Sequence, residues 1–199
     1  MSVQPPPQEI TDVAALRVLA HPMRQRIEQQ LRHGPANSAA LATALGESTG
    51  LVSYHLRQMA RHGFIEEVPE LAKGRERWWR AVPGDRRFPP HSRQTPPMRE
   101  ALREMTRLNI AELIEQFTRF EERRDEMGPW ADAFIFARST LRLAPEELRS
   151  FFEEYIALVY RYSRPADEAG PQDRAVLVRL LGFPETDERP GRSAGPEEE

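Results

Sequence analysis

The chain has 199 residues, of which 39% are hydrophobic and 30% are charged, and its formal net charge is -3. It contains no cysteine, which excludes disulfides, thiol redox switching and metal sensing through thiolates. No apolar run approaches the length of a membrane span, and the N-terminal residues lack the features of a signal peptide, so we expect a soluble cytoplasmic protein that does not bind membranes.

The first elements are two short helices. Residues 1–11 are rich in proline and polar residues, and we expect them to be disordered. A helical pattern then covers Val13–Ala20, and a second covers Met23–Leu31. Pro22 suits the first turn of the second helix, where its missing N–H costs nothing.

Residues 38–62 form two amphipathic helical patterns joined by a tight turn. Ser38 is a natural N-cap for the first pattern, and Gly46 closes it. Ser48 or Thr49 can cap the second helix, predicted over residues 49–62, on which Val52, Leu56 and Met59 recur at helical spacing as a buried edge. This order predicts a helix-turn-helix.

The other face of the second helix is polar. A guanidinium, a phenol, hydroxyls and an amide on one rigid helix are the groups needed to reach base edges and phosphates in a major groove. An ordinary helical hairpin with a solvated polar face is the alternative. The outward residues are Thr49, Ser53, Tyr54, Arg57 and Gln58.

A β-hairpin is predicted directly after these helices. Phe64–Val68 reads as a strand, and Arg75–Val82 reads as its return partner. The connecting segment, a wing over residues 69–80, carries Lys73, Arg75 and Arg77, which suit contact with a phosphate backbone. The order of elements over residues 12–82 predicts one small winged-helix domain.

This stretch resembles a known family. The segments LRVLAHPMRQRIEQQL, SAALATALGESTGLVSYHLRQMARHGFIEE and KGRERWWRAV are similar to the winged-helix domain of the arsenical-resistance repressor (ArsR-like) transcriptional regulators. The resemblance covers residues 12–82 and implies that Ser53, Tyr54 and Arg57 enter the major groove. It places Ser48 and Thr49 near DNA at the helix N-terminus. Ser38 is either a cap only or a cap that also meets a phosphate.

Metal sensing and catalysis are not expected. Many members of the family bind metals through cysteines, which this chain lacks. Its histidines form no closed ligand set; His55 is expected to be a packing residue, and His62 or His91 with carboxylates between subunits is the minor alternative. The chain has no Gly-rich phosphate loop, GxSxG or HExxH motif. We therefore expect no enzyme activity, metal or cofactor.

A long helix is predicted over residues 98–127, after a Pro-rich linker at residues 83–97. At about 1.5 Å per residue it is longer than a monomer of this size needs to cover its own core. We therefore expect it to form a homodimer interface, with packing on its own winged domain as the alternative. The predicted interface residues are Leu102, Met105, Asn109, Leu113, Phe117 and Phe120.

The last part, within the predicted region 98–183, reads as a small α+β extension. Strands are expected at residues 134–143 and 175–183 around a helix that begins at Pro145 and runs to about Tyr162. Its aromatic residues form either a core or a pocket for an apolar small-molecule effector. Residues 184–199 are expected to be a disordered acidic tail.

Together these features predict a mainly α protein with small β elements and a sequence-specific DNA-binding function. Residues 1–99 hold 14 Lys and Arg against 9 Asp and Glu, whereas residues 100–199 hold 14 against 22, so only the first half suits double-stranded DNA. The expected protein is a homodimeric transcriptional regulator on an inverted-repeat operator. The alternatives are a winged-helix protein-interaction module and a regulator that responds to a small molecule.

Overall fold

The computed structural model describes residues 6–74, 76–164 and 168–185. They fall into two compact units, with residues 6–164 of this set in the first and 168–185 in the second. The first unit carries all the helices and strands named below. Its elements in chain order are β1 (Gln8–Glu9), α1 (Val13–Leu19), α2 (Pro22–Leu31), β2 (Ala36–Asn37), α3 (Ser38–Leu45), α4 (Thr49–Arg61), β3 (Ile65–Glu67), β4 (Trp78–Ala81), β5 (Arg86–Arg87), α5 (Pro96–Arg123) and α6 (Pro145–Tyr162).

A single hydrophobic core joins α1 to α4 and the β3–β4 hairpin. The predicted edge of α4 is confirmed, because Val52, Leu56 and Met59 are fully buried. They pack in the same cluster as Ile27 of α2 and Phe64, which precedes β3. The chain is thus mainly helical with small sheets, and its N-terminal part is a helix-turn-helix followed by a hairpin.

The start of α3 differs from the prediction. Asn37, not Ser38, is the N-cap: its Oδ1 accepts a hydrogen bond from the Ala40 N–H at 2.8 Å. Asn37 is extended because it belongs to β2, so Ser38 is already the first helical residue. The other end agrees with the prediction, since Gly46 adopts the left-handed conformation with φ of 68°. Ser48 caps α4 by accepting from the Leu51 N–H at 3.3 Å.

The predicted hairpin is present and carries a third strand. β2, β4 and β3 form an antiparallel sheet in that order, with Glu67 and Ala36 both opposite Trp79. The two-residue β2 is too short to show a sequence period. It ties the start of α3 to the hairpin.

Two segments that were expected to lack regular structure also contain strands. Gln8–Glu9 pairs in parallel with Arg86–Arg87, so neither the N-terminal segment nor the predicted linker is irregular throughout. Ile10, next to β1, is buried in the core. Two-residue parallel strands form only where tertiary contacts bring distant segments together, which explains why the local pattern did not reveal them.

The long helix α5 begins two residues before its predicted start and continues through a short 3-10 turn at Arg124–Glu126. Its first turns pack against α1. Met98 and Ala101 are buried, and Leu102 and Met105 are half-buried against the same core. The first turns of α5 therefore pack on the winged domain of the same chain, which was the alternative to a homodimer interface.

The predicted β-α-β extension is wrong in its strands. α6 forms as expected, and Glu147 Oε2 accepts from the Ala144 N–H at 2.7 Å at its start. Residues 134–143 and 175–183, all within the described part, form no strand. Side chains in both segments are exposed, including Ile135 and Phe183 at about 80%. An alternating pattern permits a strand, but only a paired partner stabilises one. No described helix is long and apolar enough to cross a membrane.

Candidate nucleic-acid interface

Helix α4 presents the polar face that the sequence predicted. The burial of Val52, Leu56 and Met59 fixes the rotation of the helix on the core. On the opposite side, Arg57 is exposed and Ser53 is half-buried. The remaining outward residues are the exposed Thr49 and Tyr54 and the half-buried Gln58.

A groove of about 550 Å³ lies between α4, the start of α3 and the hairpin. It brings together four of the residues predicted to contact DNA, Ser38, Ser53, Arg57 and Arg77, although these are far apart in the chain. Ser48, Thr49, Tyr54, Gln58 and Lys73 do not line the groove. The other lining residues are Asn37, Ala39, Leu56, Glu76 and Trp79.

Three lining residues, Asn37, Glu76 and Trp79, were missed by the sequence analysis. Trp79 is buried and forms an apolar wall, and its place is set by the pairing of β4 with both β2 and β3. The amide Nδ2 of Asn37 donates to Glu76 Oε2 at 3.3 Å, which joins α3 to the hairpin. The preference of asparagine for N-caps was a usable signal for Asn37. The contact with Glu76 depends on strand register and had no local signal.

The hairpin is less basic than its sequence suggests. Arg77 pairs with Glu67 at 3.1 Å, and Arg80 pairs with Glu66 at 2.7 Å, both across the strands. Lys73 is exposed and forms no ion pair with any described residue. Arg75, the third predicted cation of the wing, lies outside the described residues. Lys73 is therefore the described hairpin cation that is free to meet a phosphate.

His55 on α4 is buried, as expected for a packing residue. The structure adds a partner, since its ring lies 4.6 Å from the ring of His21, the N-cap of α2. Burial lowers the pKa of His55, and the nearby His21 and Arg24 lower it further, while Glu47 opposes them. Burial, with Arg24, also lowers the pKa of His21. Both shifts favour the neutral form of the imidazole.

The described residues offer no cluster of three or more His, Asp or Glu side chains that could hold a metal ion. His62 Nδ1 lies 4.0 Å from Asp12 Oδ2. His91 lies in a 3-10 turn at His91–Arg93.

The residues predicted for a dimer interface occupy different environments. Leu102 and Met105 pack on the chain's own core, and Asn109 Oδ1 accepts from Gln25 Nε2 at 3.3 Å. Leu113 is half-buried. Phe117 and Phe120 form a cluster with Phe134, with ring centroids 5.6 and 5.7 Å from that residue.

The aromatic residues after α5 do not converge on one cluster. Phe134 packs against the end of α5, while Phe136 is 82% exposed. The guanidinium of Arg87 lies over the ring of Phe152 on α6, with 4.7 Å between Arg87 Cζ and the ring centroid. These aromatic residues were expected to form one core or one pocket. In the first unit they lie in separate places instead.

Comparisons with known proteins agree with the helix-turn-helix. Residues 19–68 match a family model described as a helix-turn-helix domain, which supports DNA binding and transcription regulation. The chain is also similar to a solved structure, described as the crystal structure of RV1404 from Mycobacterium tuberculosis. The identity is 16%, the match covers 76% of this chain and 84% of that chain, and the TM-score is 0.29. A comparison with curated proteins gives no match.

Proposed function

We propose that this protein is a sequence-specific transcriptional regulator of the ArsR-like type that binds an inverted-repeat operator as a homodimer. The observation that carries the proposal is the groove beside α4, where Ser53 and Arg57 of the helix meet Ser38 and the hairpin. A match of residues 19–68 to a helix-turn-helix domain supports the same function.

Arg57 is the residue best suited to base recognition. Its guanidinium is exposed on the outward face of α4 and forms no ion pair with the described residues. An arginine on a helix in the major groove can donate two hydrogen bonds to guanine O6 and N7. Ser53, one turn earlier on the same face, can reach a neighbouring base or phosphate.

The start of α3 is suited to a phosphate. The Asn37 side chain caps the Ala40 N–H, and Ser38 and Ala39 in the first turn of α3 line the groove. Free N–H groups at a helix N-terminus attract anions, because they add to the positive end of the helix dipole. The hydroxyl of Ser38 adds a further donor. This end of α3 would therefore position α4 against the duplex without reading sequence.

The β3–β4 hairpin would lie along the neighbouring sugar-phosphate backbone of the DNA. Lys73 lies at its exposed end, and Gly74 beside it has a positive φ of 66°, which allows the tight turn there. Glu76 and the Arg77–Glu67 pair limit the positive charge of this element. We expect the hairpin to contribute affinity through one or a few phosphates rather than base recognition.

A selection of duplexes from a random library with the purified full chain tests the proposal. The expected result is an enriched inverted repeat whose half-site centres lie about 34 Å apart, one helical turn of DNA. Enrichment of a single unrepeated site would contradict the homodimer but leave DNA recognition standing. Absence of any enriched sequence, with no binding even at low salt, would overturn the regulator function and favour a protein-interaction role.

A further inference from the structure

The first turns of α4 have an apolar surface within an otherwise polar face. Leu51 is 39% exposed and Tyr54 is 47% exposed, and the exposed Gly50 beside them has no side chain. Tyr54 follows Gly50 by four residues and Leu51 by three, so the three positions adjoin on the helix surface. We call Gly50, Leu51 and Tyr54 the α4 notch.

The fold does not require a glycine at position 50. Gly50 lies within α4 and has no positive φ. A Cβ added to it would have no heavy atom of a described residue within 4 Å, beyond its chain neighbours and the backbone of α4. Alanine is a better helix former than glycine, so the fold by itself would favour alanine here. The missing side chain therefore points to a group outside the chain that comes close to Gly50.

Local contacts fix the two large residues of the notch. The ring of Tyr54 lies edge-on to the ring of the buried His55, with 5.2 Å between centroids and 71° between planes. The Leu51 N–H donates to Ser48 Oγ at 3.3 Å, which fixes the turn that carries Leu51. The α4 notch is therefore a gap at Gly50 with apolar groups at its edge.

The notch is continuous with the candidate nucleic-acid interface. An α-helix turns by about 100° per residue, so Gly50, Tyr54 and Arg57 lie within an arc of about 60°, opposite the buried Val52 and Met59. Arg57 also lines the groove beside α4. A helix that lays Arg57 in a major groove brings the residues of its N-terminal turns to base edges as well. The apolar group that base edges present in the major groove is the C5-methyl of thymine.

We propose that the α4 notch receives the methyl group of a thymine, and that Gly50 thereby determines one base of the DNA site. This inference rests on the DNA binding of the proposed function and specifies part of its sequence preference. Gly50 leaves the room for the methyl group, and Leu51 and Tyr54 remove it from water. A Cβ at position 50 would occupy the space that the methyl group fills.

Replacement of each thymine of the selected DNA site by deoxyuracil, which lacks only the methyl group, tests the notch. Affinity of the full chain for each duplex is measured by fluorescence anisotropy. Wild type should lose affinity about fourfold at the thymine that the notch contacts, the change expected when one buried methyl group is removed. Leu51→Ala should reduce this preference for thymine over deoxyuracil. Leu158→Ala removes a side chain of similar exposure from α6 and should keep the preference.

Gly50→Ala gives the sharper result. It should weaken binding to the thymine duplex about fivefold or more, because the added methyl overpacks the contact. Deoxyuracil at the contacted position should restore most of that loss, whereas deoxyuracil at the other positions should not. The unfolding temperature of Gly50→Ala should equal or exceed that of wild type, which separates this loss from any damage to the fold.

The notch and the proposed function fail in different ways. An enriched DNA sequence without a constant thymine, or wild-type affinity that no deoxyuracil changes, would overturn the notch while DNA binding stands. Equal weakening of Gly50→Ala on the thymine and deoxyuracil duplexes would overturn it too. Absence of any enriched sequence would instead overturn the proposed function, and the notch with it.

Discussion

The imidazole rings of His21 and His55 lie 4.6 Å apart between centroids and connect the start of α2 to the buried side of α4. His21 Nδ1 accepts a hydrogen bond from the Met23 N–H at 3.2 Å, so its neutral form is part of the cap of α2. Protonation at Nδ1 would remove that acceptor. It would also add a positive charge beside His55 and Arg24, which interact with it electrostatically.

Acidification should destabilise this domain through the histidine pair. Burial lowers the pKa of both rings, so the folded protein binds fewer protons than the unfolded chain, in which a histidine has a pKa of about 6.5. The stability is complete above that value and falls as the pH drops below it. His21→Asn keeps a cap acceptor without this titration, and its unfolding temperature should fall less than that of wild type between pH 7 and pH 5. The exposed His33→Asn is the control and should follow wild type; a His21→Asn profile with the wild-type slope would refute the role of the pair.

Loss of Arg57 should remove sequence discrimination without loss of fold. Arg57→Ala deletes the exposed guanidinium of α4, and we expect a loss of about 1–3 kcal/mol in discrimination at one base position. Fluorescence anisotropy with the selected site and with single-base variants of that site measures this difference. Arg17→Ala on α1 removes the same charge from an exposed position of another helix and is the control. An unchanged preference in Arg57→Ala would rule out the assignment of Arg57 to base recognition.

Charge changes in the hairpin should alter affinity for all DNA sequences in opposite directions. Lys73→Ala removes an exposed cation, and the slope of log affinity against log salt should fall by about 0.9 for one lost phosphate contact. Glu67→Gln releases Arg77 from its 3.1 Å ion pair and should strengthen binding. Glu70→Gln makes the same charge change in the 3-10 turn Pro69–Leu71 and is the control. Equal affinity gains for the two glutamate variants would show that Arg77 does not become available to DNA.

The contact between Arg87 and Glu153 should hold α6 to the strand β5. Both terminal nitrogens of Arg87 donate to the two Glu153 oxygens, at 2.7 and 2.8 Å, and the guanidinium covers Phe152. Glu153→Gln should raise amide hydrogen exchange in α6 about fivefold, since a partly exposed pair of this kind contributes about 1 kcal/mol. Glu154→Gln, one residue further along, is the control. If the two variants exchange alike, the Arg87 contact does not hold the helix.

Elements that depend on interactions within a few residues are visible in the sequence, whereas elements that depend on contacts between distant segments are not. Val52, Leu56 and Met59 lie within three turns of one helix, so their common burial was visible as a period. Residues 134–143 have an alternating pattern, yet a strand also needs a partner whose backbone groups pair with it, and the local pattern does not supply one. For α5 the length was predictable, but the helix has apolar residues on two sides. Which side packs on α1 depends on the fold.

The amino-acid sequence by itself determined the helix-turn-helix, the hairpin after it and the polar face of α4, because caps, turns and periodic burial act within a few residues. Tertiary structure alone decided that Asn37 contacts Glu76, that Ser38, Ser53, Arg57 and Arg77 share one groove, and that His55 meets His21. It also decided that Ile110, Ile114 and Phe117 are the large hydrophobic residues of α5 that stay exposed. These relationships join residues far apart in the chain, and they exist only once the strands pair and the helices pack.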